Sequence, residues 1–148
     1  MKGRIRLGRS LAVVALLACA VAAQAGDAPA PIATISPDAL SARQAAADGT
    51  LVVLDVRTPE EYAAGHVPGA TNIPHGEVEA RLAELAPARD QDVVVYCLAG
   101  KRAALALEVL QKSGFTKLRH LDGDMQAWTA SGRPVERAPE RGPPPAML

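Results

Sequence analysis

The chain has 148 residues, 49% of them hydrophobic but only 3% aromatic. That is enough for one domain with a core built from Ala, Val and Leu. Sixteen basic residues balance sixteen acidic ones, which excludes the strongly cationic profile of a nucleic-acid or anionic-membrane binder.

Lys2, Arg4, Arg6 and Arg9 precede an apolar run from Leu11 to Ala23, and Ala23-Gln24-Ala25 supplies an A-x-A cleavage pattern. Residues 1–25 therefore read as a secretory signal peptide, implying a periplasmic or secreted bacterial protein. The apolar run is shorter than the roughly 20 residues a spanning helix needs. Leu16-Leu17-Ala18-Cys19 also resembles a bacterial lipoprotein box, in which a lipidated Cys19 would anchor the chain. The apolar run continuing past Cys19 argues against that alternative. Cleavage after Ala25 removes four cations and no acids, leaving a formal charge of −4. It also leaves Cys97 as a lone thiol, unable to form an internal disulfide and therefore either buried or chemically used.

Residues 26–35 are small and Pro-rich and read as a linker. A helix is expected from Ser36, with Ser as N-cap, Pro37 in the first turn and Asp38 favouring the helix dipole, until Gly49. LVVLD at 51–55 is a continuous apolar run, as in a strand buried on both faces. TPEEYAAG at 58–65 reads as a compact helix: Thr58 caps, Pro59 opens, Glu61 closes the capping box and Gly65 stops it. Residues 66–74 are turn-rich, with a short strand at 70–73. Val78, Leu82 and Leu85 predict a helix over 76–86. VVVYC at 93–97 is the second strong strand. Residues 101–113 have helical period, with Leu105, Leu107, Val109 and Leu110 facing a sheet, and Gly114 ends them. KLRHL at 117–121 is a weaker strand, 124–132 a last short helix, and 138–148 a disordered Pro-rich tail. Helices alternating with apolar strands argue for one α/β domain over residues 36–137, built on a mainly parallel sheet.

Cys97 ends a strand, and ligand sites of parallel sheets form at such carboxyl ends. The loop Leu98-Ala99-Gly100-Lys101-Arg102 leads into a helix N-terminus, whose free amides bind anions. Gly100 permits the tight turn that aims those amides, and Lys101 and Arg102 add charge. Together they favour a thiolate, the reactive form of cysteine. The competing reading is a buried inert thiol. Four residues separate Cys97 from Arg102, a tighter cradle than the phosphoryl-binding loop of cysteine phosphatases, which has five. That size suits a single sulfur carried as a persulfide. No C-x-x-C supplies a resolving thiol.

Three segments now resemble the rhodanese family. LDVRTPEEYAAGHVPGATNIP at 54–74 is similar to its D-V-R…E-[FY]…G-H-I-P-G-A signature. YCLAGKRA at 96–103 resembles its C-x-x-G-x-R loop, and LDGDMQAW at 121–128 its terminal L-x-G-G-x-x-x-W segment. One departure stands out: Asp124 occupies the place of the second glycine, a position that a positive φ would make demanding for Asp.

The resemblance implies a five-stranded, mainly parallel sheet flanked by helices on both faces, and a single-domain sulfurtransferase needing no cofactor. Cys97 would take the outer sulfur of thiosulfate or a similar small anionic donor and pass it to cyanide or a thiol, a ping-pong scheme. The amides of 98–102 would stabilise the sulfur anion, and Lys101 and Arg102 would hold the donor's sulfonate. Asp55 and Arg57 would organise the loop rather than react. A sulfur-relay module acting in trans, or a cysteine phosphatase or arsenate reductase on the same scaffold, are the alternatives. Glu61 is expected to cap, His66 to shape a turn, and Trp128 to plug the core. His75 and His120 show no ligand spacing with each other or with acids, so no metal site is expected. The protein is expected to be monomeric.

Overall fold

A computed structural model describes residues 28–138 of the protein. The leader at 1–25, the lipidation candidate Cys19 and the tail from residue 139 onward lie outside the described residues. Five strands form one sheet: β1 (Ala33–Ile35), β2 (Leu51–Asp55), β3 (Thr71–Asn72), β4 (Asp92–Tyr96) and β5 (Leu118–Leu121). Their order is β1-β5-β4-β2-β3 and every pairing is parallel. Parallel neighbours need crossovers. These run through α1 (Pro37–Ala45), α2 (Pro59–Ala64), α3 (Leu82–Leu85) and α4 (Lys101–Lys112), while α5 (Asp124–Ala130) follows the last strand.

Side chains of a strand alternate between faces, and β4 shows what this does. Val93, Val95 and Cys97 enter one apolar cluster with Val78, Leu85 and the inner face of α4. Val94 and Tyr96 enter the other, with Leu40 of α1 and Met125 and Trp128 of α5. Helices therefore cover both faces, and the cysteine belongs to the α4 side. Trp128 is fully buried, and its indole N–H donates to the Pro134 carbonyl at 2.9 Å, so no polar atom is stranded. Both expected caps form: the Ser36 hydroxyl accepts from the Ala39 amide, and Thr58 and Glu61 make a reciprocal capping box.

Three expectations need correction. Ala33–Ile35 is not linker but the edge strand β1, paired with Arg119–Leu121 of β5. The three residues of β1 are too few to show periodicity, and only the β5 edge makes them a strand. The segment 76–86 is not one helix. It runs as a 3-10 turn at His75–Glu77, then α3, then a second 3-10 turn at Ala86–Ala88. The Arg81 amide is shared between the Glu77 and Val78 carbonyls, which interrupts the regular helical ladder. In α4, Leu105 does not face the sheet; it is half exposed. The buried stripe is Ala103, Ala106, Leu107 and Leu110, the true 3.6-residue period. Burying Leu107 and Leu110 contributes about 1.5–3 kcal/mol each.

Candidate active site

Cys97 lies just past the carboxyl end of β4, and Gly100 is the N-cap of α4, with φ 103°. That left-handed backbone is one glycine adopts at little cost. The turn points the Gly100 amide back at the cysteine: its N–H donates to Cys97 Sγ at 3.0 Å. Leu98, Ala99 and Lys101 are exposed, Gly100 and Arg102 half-buried. Cys97 itself is only 2% exposed, so the sulfur is recessed beneath its loop rather than presented on it. It is the free cysteine of the described residues. The first-turn amides of α4 have no acceptor within their own helix, and they sit directly after the sulfur in the chain.

Arg102 is already engaged within the protein. Its two terminal nitrogens donate to the two carboxylate oxygens of Glu61, at 2.7 and 2.9 Å. The Glu61 carboxylate raises the proton affinity of the guanidinium, and the nearby Cys97 sulfur does so to a smaller degree. Glu61 therefore does two things: it caps α2 through the Thr58 amide at 3.0 Å, and it fixes Arg102 beside the sulfur. The Arg102 fork holds the Glu61 carboxyl far below its ordinary 4.5, at about 2. A depressed carboxyl contributes stability above its unfolded value and loses it as pH falls through the folded one. Because the pair is part-exposed, Glu61→Gln is expected to cost only about 1 kcal/mol at pH 7. In urea unfolding the gap from wild type should close as pH drops from 4.5 towards 2.

Asp55 and Arg57 are buried together at the end of β2, beside β4. The Arg57 guanidinium donates to both Asp55 oxygens, closest at 2.6 Å, and to the Gly65 carbonyl at 2.8 Å. The Tyr96 hydroxyl donates to Asp55 at 2.7 Å and accepts from the Val67 amide at 3.0 Å. Burial and the adjacent Asp55 charge keep that hydroxyl protonated. The network ties β2, β4 and the turn at 65–67 into one unit, one residue before Cys97. None of its hydrogen bonds reaches the sulfur. His66 stacks on Tyr62 at 3.6 Å between ring centroids and bonds the Tyr62 carbonyl through Nδ1, which holds the same turn.

Beneath the loop sits a pair that local spacing did not reveal. Asp124 is buried, with φ 54°, so the place of the family glycine does demand positive φ. Its Oδ1 accepts from the Cys97 amide at 2.8 Å. His120, singled out in the sequence only for its want of metal-ligand spacing, places Nε2 at 3.1 Å from both Asp124 oxygens. The strand-to-helix turn between them makes this contact, so no helical or strand period announces it; the departure from glycine is the one sign in the chain. His75 takes no part in the site; its amide bonds the Val56 carbonyl.

A cleft of about 350 Å³ opens beside the loop, between Leu98, Arg57, Glu61, Met125 and Val135. A larger one, about 420 Å³, borders Ala47, Leu51 and Val53 and touches none of these groups.

Residues 36–131 match the family described as rhodanese-like domain. A sulfurtransferase of Allochromatium vinosum is 37% identical over 106 residues, covering 72% of this chain and 95% of that protein. The thiosulfate sulfurtransferase PspE of Escherichia coli is 43% identical over 70 residues, covering 47% and 67% respectively. Among solved structures, the Alr3790 protein from Anabaena superposes with a TM-score of 0.65 at 28% identity, covering 70% of this chain and 82% of that one. Matched over most of its described length, and carrying the strand-end cysteine loop within the match, the chain belongs to the rhodanese-like family.

Proposed function

We propose that the protein is a sulfurtransferase that carries sulfur as a persulfide on Cys97, with thiosulfate or a similar small anionic donor. The observation that carries this reading is the Gly100 N–H directed at Cys97 Sγ at 3.0 Å, at the start of a helix. A donor so placed stabilises negative charge on sulfur. The sulfurtransferases of Allochromatium vinosum and Escherichia coli among its relatives support sulfur transfer.

The Cys97 thiolate attacks the outer sulfur of thiosulfate. A Cys97–sulfur bond forms, the sulfur–sulfur bond of the donor breaks, and sulfite leaves with the electron pair. An acceptor thiolate or cyanide then attacks the outer sulfur, and Cys97 departs as thiolate. The amides from Leu98 to Arg102 receive the anion. With Arg102 engaged by Glu61, Lys101 is the loop cation free to meet the sulfonate, so Lys101→Ala should raise the KM for thiosulfate more than it lowers kcat.

The test is the intact mass of the mature protein after incubation with thiosulfate. A gain of one sulfur atom, removed again by cyanide, supports the reading. An unchanged mass with thiosulfate and with other sulfane-sulfur donors would sink it.

A further inference from the structure

We propose that Asp124, held by His120, is a positioning residue that latches the Cys97 loop from below. The idea rests on the reading of Cys97 as the sulfur carrier and adds a part to it. Three hydrogen bonds join the loop to the start of α5. The Cys97 amide donates to Asp124 Oδ1 at 2.8 Å. The Met125 amide donates to the Cys97 carbonyl at 3.0 Å, and the Gln126 amide to the Leu98 carbonyl at 3.2 Å. The first is the charged one, hence the strongest of the three.

The latch also shapes the residue that faces the sulfur. A Cβ built on Gly100 would lie 3.1 Å from Asp124 Oδ2 and 3.3 Å from His120 Cε1. The pair thus forms the floor on which the Gly100 turn rests, and that turn aims the amide at Sγ. A glycine at 124 could accept the same backbone conformation but offers no oxygen to the Cys97 amide.

The carboxylate brings a difficulty that His120 resolves. A buried negative charge under a site that must hold a sulfur anion works against that anion. The Asp124 carboxylate, 3.1 Å from Nε2, strengthens the hold of His120 on its proton, and a protonated ring there would offset the carboxylate charge. The pair keeps the hydrogen-bond acceptor while muting its field.

Three proteins separate the contributions: wild type, Asp124→Asn and Asp124→Gly. Asn tolerates the left-handed backbone and keeps an oxygen for the Cys97 amide; Gly tolerates the backbone and keeps none. Two readouts are taken, hydrogen exchange of the Cys97 amide and the single-turnover rate of persulfide formation from thiosulfate. In Asp124→Gly the amide is expected to exchange about tenfold faster and persulfide formation to slow about tenfold, with KM little changed. Asp124→Asn should stay within about twofold of wild type on both. A wild-type rate of persulfide formation in Asp124→Gly would overturn the proposal, as would equal losses in the Asn and Gly variants. If wild type takes up no sulfur, the sulfur-transfer reading fails. Amide exchange then still judges the latch, which falls if Asp124→Gly protects the Cys97 amide as wild type does.

Discussion

Cys97→Ser is expected to abolish sulfur uptake, with a loss of roughly 10⁴-fold or more, as for removal of a covalent nucleophile. The hydroxyl matches the thiol in shape but cannot form the sulfur–sulfur bond on which the scheme depends. Intact mass after thiosulfate should show no added sulfur. The variant must be shown to be folded, because Cys97 is 2% exposed within an apolar cluster. A hydroxyl there is partly served by the Gly100 amide and should cost about 1–2 kcal/mol. Cys97→Ala supplies the matching control: equally inactive, without a buried hydroxyl. Sulfur transfer surviving at wild-type rate in either variant would remove Cys97 from the mechanism.

The second large effect is on stability. Asp55→Asn is expected to destabilise the domain by about 3–5 kcal/mol, the usual result of breaking a buried ion pair from one side. Asp55 is fully buried and accepts from the Arg57 guanidinium, the Arg57 amide and the Tyr96 hydroxyl. Neutralising it leaves a guanidinium that is 4% exposed without its counter-charge. Against a typical total of about 5–15 kcal/mol, such a loss brings the fold near its threshold. Urea unfolding followed by the Trp128 fluorescence measures it. A change under about 1 kcal/mol would mean that the pair is solvated enough to be dispensable. Since no hydrogen bond of this network reaches Sγ, the folded fraction of Asp55→Asn should still load sulfur.

Local rules account for much of the molecule. Ser36 and Thr58 cap their helices because each signal lies within three residues of the amide it serves. The apolar runs at 51–55 and 93–97 become the interior strands β2 and β4 because burial on both faces leaves an apolar run in the sequence itself. The placement of Cys97 at a strand end, before a glycine and a helix, was legible for the same reason. The family motifs then identified the type of domain, since they join segments far apart in the chain.

Only the tertiary structure decided which charges meet. Glu61 and Arg102 are 41 residues apart, and Cys97 and Asp124 are 27 apart. No periodicity spans such separations; the parallel sheet creates these contacts by bringing the ends of β2, β4 and β5 to one edge. It likewise made a strand of Ala33–Ile35, whose three residues carry no pattern without β5 beside them. The sequence by itself determined the longer strands, the capped helices and the place of the Cys97 sulfur at a strand end, because those depend on neighbours in the chain. How firmly that atom is held, and by which carboxylates, depends on neighbours in space.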